Sequence, residues 1–150
     1  MTLRKTEVLL LLLAAALLLL LGCEASARSP DGFRLPDGDV TRGREVVLEM
    51  KCPVCHRVEA PGMPAPTVDP PVPVVLGGEI RSVKTDGELV TSIINPSHRI
   101  VPALRSERVM SGNLSRMPDY GDVMTVRQMA DVVAFLQSRY KVIRPGVPPK

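Results

Sequence analysis

Cys52, Cys55 and His56 fall within five consecutive positions, in "KCPVCH", of a 150-residue chain that has only three cysteines and two histidines. A C-x-x-C pair supports three chemistries: a dithiol that cycles with its disulfide, a zinc site, or a pair of thioethers to the vinyl groups of a haem. A dithiol couple sits at a helix N-terminus after a strand, where the helix dipole lowers a thiol pKa. Here the pair follows the end of a helical pattern, and no βαβ pattern surrounds it. Structural zinc takes four ligands. Only His98 remains to join Cys52, Cys55 and His56, and the adjacency of the last two makes a poor tetrahedron. Haem attachment uses what the stretch contains, two thiols at a short fixed spacing and an imidazole immediately after to reach the iron.

The start of the chain bears on compartment. Arg4 and Lys5 precede an unbroken apolar run from Val8 to Leu21, then Gly22 and Cys23. This is the build of a secretory signal, too short for a comfortable membrane-spanning helix. The leucines and Gly22 before Cys23 resemble a bacterial lipobox, which implies lipidation at Cys23 and accounts for the third cysteine. Two other readings stand beside it, cleavage of an ordinary signal near Ala25 or Ala27 and an uncleaved anchor helix. Glu24 stands where an aspartate would signal retention in the inner membrane.

Removing residues 1–22 leaves 128 residues, enough for one small domain, and takes the formal charge from +3 to +2. Two haem propionates bring that to about zero, and nothing then points to a nucleic-acid partner. Aromatic residues are 3% of the chain and tryptophan is absent, a thin supply for a core of this size that a large bound cofactor would make up.

Three helices are expected to position the motif. Residues 24–38, "EASARSPDGFRLPDG", have no apolar period and read as a flexible tether, so that 23–38 separates a signal segment, 1–22, from a folded domain, 39–140, with a tail at 141–150. Asp39 is a good N-cap for a first helix running to the cysteines, with Val40, Gly43, Val47 and Met50 on one face. A glycine inside a helix costs roughly 1 kcal/mol against alanine, so another element is expected to approach closely at Gly43. Six prolines between Pro61 and Pro73 exclude regular structure there. Thr85 with Glu88 makes a capping box for a second helix that buries Leu89, Val90, Ile93 and Ile94 before Pro96 ends it. Thr125 with Gln128 starts a third, whose stripe is Met129, Val132, Val133, Leu136 and Tyr140. The only strand signal is a short one at Val74 to Leu76, so the expected class is small all-α with long loops.

The run "GDVTRGREVVLEMKCPVCH", Gly38 to His56, resembles without a gap the first helix and haem-binding segment of class I cytochrome c. The resemblance extends over about Asp39 to Tyr140. It implies the small cytochrome c fold, with N- and C-terminal helices crossing nearly at right angles around a covalently bound haem. The crossing places Gly43 and Val47 against Val132 and Phe135 of "DVVAFLQSRY". It also implies one haem c per chain, with Cys52 and Cys55 as thioether sulfurs and His56 as proximal iron ligand.

In that family a methionine on the loop before the last helix closes the other haem face. Met117, in "SRMPDYGD", has the family's Met-Pro pattern and is the sixth ligand the resemblance implies, ahead of Met63, Met110 and Met124. Met124, against the cap at Thr125, reads as a hydrophobic staple. His98 would make a bis-histidine site, but the reading preferred for it is a solvated loop residue. The resemblance further gives Pro66 a carbonyl partner role to the proximal imidazole, Ser115 a place near a propionate and Tyr120 a place lining the pocket; for Ser115 and Tyr120 the plain reading as loop residues stays open.

The function expected is single-electron transfer by a membrane-anchored, exported mono-haem cytochrome with His/Met-ligated iron. It would act as shuttle or haem subunit among redox proteins of the periplasm or membrane, and not as an enzyme. The alternative is a haem enzyme or gas sensor with an open distal site.

Overall fold

The computed structural model describes Thr6 and residues 32–143. The expected signal segment apart from Thr6, the lipidation site Cys23, the tether up to residue 31 and the tail beyond residue 143 lie outside the described residues. From Arg34 onward the described residues form one unit.

Helix α1, Val40–Glu49, begins at the expected cap: the Asp39 carboxylate accepts from the Arg42 backbone N–H at 2.8 Å. It buries Gly43, Val46 and Val47, while Val40, expected on that face, is 41% exposed. Val46 takes its place, because the burying stripe starts one turn into the helix. Lys51 then adopts a left-handed conformation, φ 57°, uncommon for a residue with a β-carbon. That turns the chain out of the helix and into a 3₁₀ turn at Cys52–Val54, with Pro53 buried beneath it.

Helices α2, Asp86–Ile94, and α3, Val126–Arg139, start at complete capping boxes, Thr85 with Glu88 and Thr125 with Gln128. Each threonine hydroxyl accepts the third residue's N–H while that residue's side chain accepts the threonine N–H, satisfying two otherwise unpaired donors. Leu89, Val90 and Ile93 are buried, but Ile94 is 38% exposed because it lies one step past the buried stripe. The core joins Val46, Val47, Val58 and the α2 stripe to Met129, Val132, Val133, Phe135 and Leu136 of α3.

The described residues also hold short strands, which corrects the all-α expectation to a mostly helical fold. Strand β1, Gly78–Ile80, pairs in parallel with β4, Tyr140–Val142; β2, Met110–Ser111, pairs antiparallel with β3, Leu114–Ser115. The strand expected at Val74 to Leu76 is reduced to one bridge, Val58 with Leu76. Ile143 donates its N–H to the Ile80 carbonyl at 2.8 Å, so pairing runs past residue 140.

Residues just before Asp39 also contact the helices. Leu35 packs on the core, Arg127 donates to the Asp37 carbonyl at 3.1 Å, and Gly38 lies against the backbone of Ala130. The last residues of the expected tether are therefore fastened along α3.

Candidate functional site

The attachment turn is closed by its own backbone: Cys55 and His56 both donate N–H to the Cys52 carbonyl, at 3.3 and 3.0 Å. The proline-rich loop supplies no helix or strand, yet wraps this turn. Thr67 and Val68 donate to the Val54 carbonyl at 3.0 and 3.1 Å, and Val72 donates to the Cys55 carbonyl at 3.1 Å. Cys52 and Cys55 are unpaired and half-buried. Burial pushes the Cys52 thiol up to about 11, so it is held neutral in apolar surroundings rather than activated as a thiolate. A redox dithiol needs the opposite shift. Among the described residues no three His, Cys, Asp or Glu side chains converge as metal ligands, which leaves the zinc reading without a ligand set.

His56 Nδ1 lies 2.9 Å from the Val74 carbonyl oxygen. A carbonyl can only accept, so Nδ1 carries a proton, and in the neutral imidazole that leaves the Nε2 lone pair for a metal. This corrects the role expected of Pro66. The loop passes Pro66 on the Val54 side of the turn, held there by Thr67 and Val68, and reaches the imidazole only at Val74. No side-chain pattern could have pointed to Val74, since every residue has a carbonyl.

Met117 is half-buried and packs against the core, as do Met63 and Met124. Met124 stands next to the cap at Thr125 and shares the core cluster with Met129, as expected of a staple. Met110 lies in β2 and, with His98, Arg99 and Arg105, lines an open cleft of about 400 Å³. His98 is exposed in a turn whose N–H donates to the Asn95 carbonyl at 2.9 Å.

Ser115 and Tyr120 both make specific bonds. The Ser115 hydroxyl accepts the Met117 N–H at 3.1 Å, and the Ser115 N–H donates to the Ser97 hydroxyl at 3.0 Å. Tyr120 donates its hydroxyl to the Met50 carbonyl at 3.1 Å, at the end of α1 beside the attachment turn. Burial, and after it the neighbouring Cys52 and Cys55, push the Tyr120 hydroxyl pKa up. Tyr120 therefore stands beside the Cys52–His56 turn. Ser97 had no distinguishing signal in the sequence, being one of several loop serines.

A mostly helical domain with two free cysteines and a histidine on one turn, the imidazole fixed by a backbone carbonyl, and half-buried apolar side chains packed on its core has the parts of a c-type haem protein. The family model for cytochrome c matches residues 40–139, and the chain belongs to that family. Family membership brings one covalently attached haem c to the domain, and electron transfer as its work. No curated protein and no solved structure matches the chain.

The residues present fit that group. The two thiols are free, Cys52 is held neutral by burial, Nε2 of the neutral His56 ring is available, and Met50, Met63, Leu76, Met117 and Tyr120 offer a half-covered apolar wall against the core. That wall would be completed by a flat apolar macrocycle.

Proposed function

We propose that this chain is a membrane-anchored single-electron carrier in which Cys52 and Cys55 hold the haem by thioethers and His56 and Met117 ligate its iron. The observation that carries the reading is the His56 to Val74 bond, because it fixes both the tautomer and the direction of the ring. The bound haem supplies an Fe(II)/Fe(III) couple, and His/Met ligation raises its potential and leaves no open coordination position. The chain's own part is to hold these groups still and keep water away. The left-handed Lys51 and the Cys52–Val54 turn set the sulfurs, the proline-rich loop holds the turn from outside, and the core under α1 and α3 backs the apolar wall. A site that changes little between oxidation states needs little reorganisation to pass an electron.

The basic start, apolar run and Cys23 support export and lipid anchoring, with residues 24–33 as the stand-off from the membrane. The partners are redox proteins on the same side of that membrane, with the chain as free shuttle or bound haem subunit.

Purified after expression with a haem-maturation system, the protein is expected to keep its haem colour on a denaturing gel. Met117→Ala is expected to keep that colour, lose the methionine-to-ferric charge-transfer band, show a lower reduction potential and bind carbon monoxide readily. A colourless wild-type band would overturn covalent attachment. An unchanged spectrum and potential in Met117→Ala would overturn the ligation and favour an open distal site.

A further inference from the structure

The segment carrying Met117 is attached to the domain by an unusual set of bonds. The hairpin β2–β3 turns at Gly112, φ +59°, and Arg116 ties it together: its N–H donates to the Val109 carbonyl at 2.8 Å and its Nε to the Glu107 and Met110 carbonyls. These bonds are internal to the hairpin and do not fix it to the core. The links outward are few. Among the described residues Tyr120 donates its N–H to the Ile93 carbonyl at 3.3 Å and its hydroxyl to the Met50 carbonyl at 3.1 Å, and Ser115 donates its N–H to the Ser97 hydroxyl at 3.0 Å. Ser97 is itself placed just past the end of α2, in the turn closed by the His98 N–H on the Asn95 carbonyl. The Ser115 hydroxyl then accepts the Met117 N–H.

Two hydroxyls thus form a relay from the end of α2 to the backbone of Met117, and both bonds are partly buried, where water competes poorly. We propose that Ser97 and Ser115 are positioning residues that keep the Met117 thioether on the haem iron; this rests on Met117 being the sixth ligand. A thioether is a weak neutral ligand, so how often it detaches depends on how firmly its own backbone is held. Losing one such bond is expected to raise the detached fraction about fivefold, which is about 1 kcal/mol at ~1.4 kcal/mol per factor of ten.

Cyanide binding to the ferric haem protein reads that fraction, since the anion enters only when the methionine is off. Ser115→Ala is expected to bind cyanide about fivefold faster than wild type while retaining covalent haem and a cooperative melt. Ser115→Thr, which keeps the hydroxyl, is expected to restore the slow rate. Ser97→Ala is expected to accelerate binding too, and the double alanine variant by less than the product of the single effects, because the two bonds lie in series. A wild-type rate in Ser115→Ala alongside a fast Met117→Ala would overturn the relay and leave the ligation standing. Equal acceleration by Ser115→Thr and Ser115→Ala would also overturn it, since the hydroxyl would then not be the cause. If Met117→Ala itself binds cyanide no faster than wild type, the ligation fails and the relay with it.

Discussion

Gly43 of α1 lies directly against the backbone carbonyl of Asp131 on α3, so close that a β-carbon at position 43 would collide with that carbonyl and with Cβ of Phe135 2.8 Å away. The obstruction is helix backbone, which cannot swing aside as a flexible side chain can. Gly43→Ala would gain roughly 1 kcal/mol of helix propensity but must push the helices apart. We expect net destabilisation of about 2 kcal/mol or more, read as a lower urea midpoint of the haem protein. An unchanged midpoint would show that the contact yields cheaply.

Asp131 fastens the same helix pair electrostatically. Its buried carboxylate accepts the Asp39 N–H at 2.7 Å and the Arg42 guanidinium at 2.9 and 3.1 Å, and these bonds, Arg42 first, hold its pKa below the usual carboxylate range. A depressed folded-state pKa gives stability that is present above the unfolded value of about 3.9 and is lost as pH falls through the folded value. Asp131→Asn is therefore expected to be less stable than wild type at pH 7, with the gap closing below about pH 4. Denaturant midpoints of both proteins across that range check the sign; a gap that widens on acidification would contradict it.

Tyr120 joins the methionine segment to the attachment turn through its hydroxyl on the Met50 carbonyl. Tyr120→Phe keeps the ring and removes that one bond. A loss of about 1 kcal/mol in stability is expected, with covalent haem retained. Were the variant as stable as wild type, water would be replacing the hydroxyl.

With the proposed lipid anchor at Cys23, Cys23→Ser is expected to move the protein from the membrane fraction to the soluble periplasmic fraction, because a lipid chain would be needed to hold a small domain once its apolar leader is cleaved. Mass measurement of the wild-type N-terminus tests the same point. A soluble wild-type protein beginning beyond residue 23 with no lipid would refute the anchor.

Features whose physics is local were legible in the order of the residues alone. The spacing of Cys52, Cys55 and His56 points to a covalent haem, in line with the cytochrome c family match, the two capping boxes place the starts of α2 and α3, and the energetic cost of Gly43 announces a close approach before any partner is seen. Features that depend on residues far apart in the chain emerge only from the fold. The parallel pairing of Gly78–Ile80 with Tyr140–Val142 joins segments of three residues each, too short to show a period. The acceptor for His56 is a backbone carbonyl, identical in every residue, so only the path of the proline-rich loop could choose Val74 over Pro66. Ser97 meets Ser115 for the same reason: a hydroxyl in a loop has no periodicity or composition to mark it, and its partner is set by where the end of α2 falls in space.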